Sequence, residues 1–186
     1  MIQRFVFSGS GGQGMISAAI VFAEAAVFGE GLNAVQTQVY GPEARGGAAR
    51  GDVIIADTEI WFPKVVEPNV LVCLSQIAYD RYGPLVRPGG IAIVDPFYVR
   101  RWPYANSREI ETPFRDTIVA VNGGVAPSIQ GINVCVLGAL CRLVPVVSLK
   151  ALQEALARRF AGRFAAANQK ALEAGAGLVQ ERITTF

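Results

Sequence analysis

The sequence predicts one three-layer α/β/α domain: a mostly parallel, mixed sheet covered by helices, with a helical C-terminal segment. Three observations predict it. The chain opens with a strand that runs through a glycine loop into a helix. Two short, wholly apolar runs, at 70–74 and 91–94, read as strands buried on both faces. The last third carries helical patterns only, so strand and helix signals alternate and then give way to helix. With 186 residues the chain suits a single domain, 1–186, and is short for two.

In order, the first strand covers residues 3–8 and ends in Gly9-Ser10-Gly11-Gly12-Gln13-Gly14. A helix is expected over 15–28, with Ile16, Ile20, Ala23 and Val27 on one face, stopped by Gly29 and Gly31. A second strand fits 34–39. Residues 40–47 are too rich in glycine for a regular element. Residues 52–56 and 59–62 flank Asp57-Thr58 and read as a hairpin, which would make the sheet mixed. The apolar run 70–74 is a strand, 76–86 a short helix closed by Pro88-Gly89-Gly90, and 91–94 a further strand. Residues 96–106 are irregular and aromatic, with Phe97, Tyr98, Trp102 and Tyr104. Ile110 belongs to an edge strand or a loop, and a short helix is expected over 114–121. Helices follow over 128–143, 149–160 and 164–182. Ser148 suits the cap of the second of these, which has Leu149, Leu152, Leu156 and Phe160 on its apolar face and Glu154 four residues before Arg158.

Composition excludes several classes of function. The net charge is +2 and no Lys/Arg-rich run occurs, so no nucleic-acid footprint is visible. No apolar stretch has the length of a membrane span, and the N-terminus lacks the apolar core of a signal peptide, so a cytoplasmic protein is expected. There is no histidine, which excludes Ser-His-Asp and Cys-His nucleophilic sites and His-containing zinc sites on this chain. Cys73, Cys135 and Cys141 lie in apolar runs without C-x-x-C spacing. They cannot supply four thiolates to an iron–sulfur cluster and read as buried, inert thiols. Hydrophobic residues make up 52% of the chain and charged residues 17%. Either a well-filled core or apolar surface kept for a partner accounts for this.

The segment Gly9-Ser10-Gly11-Gly12-Gln13-Gly14 satisfies G-x-G-x-x-G between a strand and a helix. Its glycines permit a tight turn and a close backbone approach, and the helix start favours an anion. A dinucleotide site also needs an acidic residue at the end of the second strand, and residues 33–39 contain none. No Lys follows the last glycine, so the Walker A pattern fails as well. The remaining readings are a turn with no ligand, a phosphate of another ligand, or a partner subunit. The second loop, Tyr40-Gly41-Pro42-Glu43-Ala44-Arg45-Gly46-Gly47, adds a guanidinium. Arg45 suits a phosphate or carboxylate, and it equally suits an ion pair with Glu43 or Asp52 that holds the loop shut. Both loops follow early strands, at the carboxyl edge of a presumed parallel sheet, where ligands of open α/β folds collect.

Together these segments resemble the gamma subunit of 2-oxoacid:ferredoxin oxidoreductases, a unit that also occurs as an internal domain of single-chain pyruvate:ferredoxin oxidoreductase. The resemblance continues through Pro88-Gly89-Gly90, Asn133 with Leu137-Gly138-Ala139, Ser148-Leu149, and Asn168, Ala171 and Gly175. It is weakest from 98 to 121. It implies a chain that has no activity alone, packs against alpha-, beta- and delta-type subunits, and helps to bind coenzyme A. Thiamine diphosphate and the iron–sulfur clusters are then expected on the other subunits, with no cofactor held tightly here. The site residues implied are Gly11, Gly12, Gln13, Gly14, Arg45 and Gly46. The wording of the second loop resembles the 2-oxoglutarate branch. Asn133 and Asn168 read as polar helix residues satisfied by neighbouring backbone. The alternatives are a standalone Rossmann-type enzyme, a purely structural subunit, and the gamma-like part of indolepyruvate oxidoreductase.

Overall fold

A computed structural model describes residues 1–39, 48–100, 107–124, 129–160 and 162–179. The sheet has six strands: β1 (Ile2–Gly9), β2 (Asn33–Val39), β3 (Ala49–Ala56), β4 (Val70–Leu74), β5 (Ile91–Val94) and β6 (Arg108–Glu111). They lie in the order β2-β3-β1-β4-β5-β6. The three pairings from β1 through β4 and β5 to β6 are parallel, and β3 runs against both β1 and β2. The sheet is therefore mixed and mostly parallel, as expected.

Side chains alternate between two cores with the period of two that a strand imposes. Phe5, Phe7, Val53, Ile55, Val70, Val72, Leu74, Ile91 and Ile93 face one core. Val6, Ile54, Leu71, Cys73, Ala92 and Val94 face the other. This is why the central strands read as continuous apolar runs. The expected hairpin at 52–62 does not form. β3 begins earlier, at Ala49, and enters the sheet between β1 and β2, while 59–62 carries no strand. Pro63 follows that stretch and has no N–H for a ladder.

Five helices cover the first core: α1 (Met15–Glu30), α3 (Phe114–Val121), α4 (Ile132–Leu143), α5 (Leu149–Arg159) and α6 (Ala165–Gly177). The second core is closed by α2 (Gln76–Tyr82) and by Val65, Val86 and Val99 from irregular chain. α1 does not bury the stripe expected for it. Ile16 and Ile20 are half-buried and Val27 is exposed, whereas Met15, Ala18, Ala19, Val21, Phe22, Ala25 and Ala26 face inward along with Ala23. The alanines let the helix axis approach the sheet. A Cβ on Gly51 of β3 would come within 2.8 Å of the Ala19 Cβ. Phe22 fills the space left, 4.9 Å from the Phe5 ring and 5.7 Å from that of Phe7. Gly29 packs against α5, where a side chain would collide with Ala151. The helix then ends at Glu30, against a left-handed Gly31.

α5 starts as expected, the Ser148 hydroxyl accepting from the Ala151 N–H at 3.1 Å. α4 starts later than expected, at Ile132, after Gly131 with φ 92°. α6 spans less than the expected 164–182, and 180–186 lie outside the described residues. α4 and α6 touch through glycines. A Cβ on Gly138 would run into the Leu172 carbonyl, and one on Gly175 into the Cys135 carbonyl. Cys73 sits in β4, and Cys135 and Cys141 in α4, all buried. Burial pushes the Cys73 and Cys135 thiols up to about 12.

Two outcomes follow from this packing. Gly138→Ala or Gly175→Ala should lower stability by roughly 1–3 kcal/mol or more in urea unfolding, because the new methyl meets backbone. Gly177→Ala, with open space at the Cβ, should be neutral or slightly stabilising. At mildly alkaline pH a thiol-reactive disulfide reagent should label no cysteine in the native chain and all three after denaturation. Fast labelling of native Cys73 or Cys135 would contradict the burial described.

Candidate functional site

The carboxyl ends of several strands meet on one edge. Gly9, the last residue of β1, pairs with Ala49 on one side and Leu74 on the other, and Cys73 pairs with Val94. Val39, the last residue of β2, pairs with Arg50. β1 and β2 run the same way because each is antiparallel to β3. Both flanks of the second glycine segment, Val39 and Ala49, are thus tied to the edge where the first glycine loop leaves β1. The segment itself, 40–47, lies outside the described residues, and with it the expected site residues Arg45 and Gly46.

Gly11, Gly12, Gln13 and Gly14 are brought together at this edge, in two different roles. Gly12 (φ 89°) and Gly14 (φ 71°) adopt left-handed conformations that favour glycine. Gly11 and Gly12 are exposed, and a Cβ built on either meets nothing within 4 Å. The backbone there is bare. Gln13, between Gly12 and Gly14, is buried and turned inward. Its Nε2 donates to the Leu74 carbonyl at 2.9 Å, and its Oε1 accepts from the Ser10 N–H at 2.7 Å. It ties the loop to the end of β4 and closes the turn. Removing it would strand two backbone groups, at about 1–3 kcal/mol for a buried one. Tyr98, half-buried, reaches the Gln13 side chain with its hydroxyl, and burial raises its ionisation above the usual phenol range.

Gly14 caps α1 without a side chain, and no acidic residue lies in the first turn. α4 also starts from a glycine, with no acid in its first turn. Asn133 of α4 meets Gly14, its Nδ2 donating to the Gly14 carbonyl at 3.4 Å. This satisfies the expectation that Asn133 serves neighbouring backbone. Asn168 lies elsewhere, in a recess with Asn122 and Gln130. Two helix starts without side-chain caps thus approach each other by a bare glycine backbone, and both contribute positive potential.

The structure adds residues that the sequence pattern did not single out. Asp52, one partner considered for Arg45, receives Arg50 on both carboxylate oxygens, with Nη2 to Oδ2 at 2.9 Å. Arg50 also donates to the Val65 carbonyl and lies 4.9 Å over the Tyr82 ring. Asp95, just beyond β5, accepts from the Phe97 N–H at 2.9 Å and the Arg115 N–H at 2.7 Å. Burial pushes its carboxyl up, and these two donors oppose the shift. It fixes the chain after β5 to the first turn of α3. Arg115 covers the Phe97 ring at 3.9 Å. A polar residue directly after an apolar strand and before Pro96 was the available signal for Asp95. The rest of the aromatic stretch, with Trp102 and Tyr104, lies outside the described residues.

The arrangement suits anion binding by backbone N–H groups. It does not suit a dinucleotide. The ribose-holding acid is missing from β2, and antiparallel β3 separates β2 from β1, moving that position one strand, about 4.8 Å, away. Among the described residues no group of three or more His, Cys, Asp or Glu is placed to hold a metal ion.

Comparison with known proteins agrees with this geometry. Residues 4–178 match the family model described as pyruvate ferredoxin/flavodoxin oxidoreductase. A 2-oxoglutarate synthase subunit KorC from Methanocaldococcus jannaschii is 42% identical over 158 residues, which is 84% of this chain and 82% of that protein. The gamma subunit of a keto/oxoacid ferredoxin oxidoreductase from Geobacter sulfurreducens superposes with a TM-score of 0.84 at 34% identity, covering 96% of each chain. A 2-oxoglutarate:ferredoxin oxidoreductase chain from Magnetococcus marinus, solved with 2-oxoglutarate, coenzyme A and succinyl-CoA, shares the fold. Its TM-score is 0.82 at 22% identity, over 95% of this chain and 31% of that one. With the family model spanning residues 4–178 and a relative 42% identical over most of both chains, the chain belongs to the pyruvate ferredoxin/flavodoxin oxidoreductase family, as a gamma-type subunit of a 2-oxoacid:ferredoxin oxidoreductase.

Proposed function

We propose that this subunit helps the oxidoreductase receive coenzyme A at the carboxyl edge of its sheet. The backbone at Gly11 to Gly14, with Arg45 and Gly46, holds a phosphate-bearing part of the coenzyme. The observation that supports this most is the register of β1, β2 and β3, which tethers both flanks of 40–47 beside Gly9. Gln13 serves as the brace that keeps Gly11 and Gly12 presented. A pyrophosphate suits a helix start without acidic side chains, and a guanidinium supplies the charge that backbone dipoles lack. The 2-oxoacid of this branch is 2-oxoglutarate, a reading supported by the several relatives named 2-oxoglutarate synthase subunit KorC. The complex is cytoplasmic.

The remaining chemistry belongs to alpha-, beta- and delta-type subunits. Thiamine diphosphate supplies the carbanion chemistry of decarboxylation, and iron–sulfur clusters carry the electrons. The residues of this chain do not fit an iron–sulfur cluster: three cysteines cannot supply four thiolates, and they are buried, Cys73 in one core and Cys135 and Cys141 in the other.

The purified chain should therefore be colourless and reduce no viologen with any 2-oxoacid. Stoichiometric iron with a visible absorbance shoulder would overturn that. In the assembled complex, Arg45→Ala should raise the apparent KM for coenzyme A. A charge-assisted hydrogen bond is worth roughly 1.5–3 kcal/mol, or about 10- to 100-fold. Single-turnover decarboxylation, which precedes entry of the coenzyme, should be unchanged. A parallel fall in both steps, with dissociation on a sizing column, would make Arg45 a structural residue and remove it from the site.

A further inference from the structure

The amino edge of the sheet carries a feature that the coenzyme reading does not use. An open groove of about 520 Å³ is lined by Arg4, Lys64 and Arg87 together with Phe62, Val66 and Glu67. Arg4 lies in the first half of β1, Glu67 shortly before β4 and Arg87 shortly before β5. The groove is thus at the opposite end of the sheet from Gly9. Among the described residues, no carboxylate lies within ion-pair reach of the three cations. Three positive groups stand against one carboxylate in the same lining.

The apolar part is unusual in the same place. Phe62 is 60% exposed and Val66 61%, and Trp61, next in the chain to Phe62, is 85% exposed. These side chains lie on irregular chain between β3 and β4, held down by Val65 in the second core and by the Arg50 bond to the Val65 carbonyl. The backbone is anchored, while the large side chains stand in water. A free small anion would use the cations and leave Trp61, Phe62 and Val66 exposed. A protein surface that brings carboxylates to the cations and covers the aromatic rim uses both. Trp and Arg together are the residues on which interface energy concentrates.

We infer that this groove docks an acidic segment of a partner subunit of the oxidoreductase, its carboxylates meeting Arg4, Lys64 and Arg87 and its apolar side chains covering Trp61, Phe62 and Val66. The inference rests on the multisubunit reading of function and adds the surface through which one partner is held. Since the groove faces away from the glycine edge, docking there leaves the coenzyme side of the sheet clear.

The test is assembly of the whole complex, followed by sedimentation with the full chain and the other subunits. Lys64→Glu with Arg87→Glu should weaken association about tenfold or more at low salt. Trp61→Ser with Phe62→Ser should weaken it similarly. Wild-type association should fall as salt rises, and the charge-reversed variant should show a shallower dependence. Both variants alone should melt at the wild-type temperature, and Lys150→Glu, an exposed reversal on α5, should assemble normally. Undiminished assembly of both double variants would overturn the proposal. So would saturable binding of inorganic pyrophosphate that the charge reversal abolishes while assembly stays intact, since the groove would then be a small-anion site. Failure of the wild-type chain to join any partner would instead remove the multisubunit reading, and this surface with it.

Discussion

The site depends on the reversal of one strand. β3 runs against β1 on one side and β2 on the other, so β1 and β2 point the same way without being neighbours. A chain leaving β2 can then re-enter the sheet directly beside the end of β1. In an all-parallel arrangement, the return from β2 would need a crossover to the far edge before the next strand began. Here the connection starts and finishes on the carboxyl edge. The cost is a polar start to a central strand, met by Arg50 and Asp52. They are two residues apart and so on the same face, and they pair with each other. Such a pair, once buried, is strongly unfavourable to break, because the survivor is left as an uncompensated charge. The pair therefore helps to hold the sheet register that the candidate site requires.

Much of the fold was legible because local signals agreed with tertiary demand. The apolar runs at 70–74 and 91–94 are strands to the residue, since full burial on both faces leaves no ambiguity about where polarity resumes. Ser148 starts α5 by a bond that a hydroxyl at that position makes naturally. The face of α1 was not legible, for a physical reason. Almost every position of that helix is apolar or small, so periodicity cannot choose a face. What chooses it is the volume between Gly51 and Phe22, a property of the sheet. The strand at 52–56 was legible, but its start at Ala49 was not, because Arg50 and Gly51 read as loop chemistry until the pairing of Arg50 with Asp52 is seen.

The candidate site divides in a similar way. The glycines at 11, 12 and 14 announce a turn with a bare backbone, and the structure brings them to the expected edge. Gln13 was legible only as one more member of the motif. Its role as a brace needs the end of β4, sixty-one residues away, and no local pattern carries that. Asp95 and Tyr98 are joined to the same edge by the strand order, which a reading along the chain cannot supply.

A subunit that presents backbone amides places its constraints on glycine positions, with little call for acids and bases. Gly12 and Gly14 hold left-handed turns, Gly51 admits α1 to the sheet, and Gly138 and Gly175 admit α6 to α4. The last pair also bears on the loop, because Gly175 packs on Cys135, two residues from Asn133. α4 carries Asn133 to the Gly14 carbonyl, and the depth at which α4 sits is set by how closely α6 backs it. A methyl group between those helices would displace the residue that closes the underside of the loop. The glycine contacts between α4 and α6 and the glycine turn before α1 are therefore linked, with α4 as the element between them.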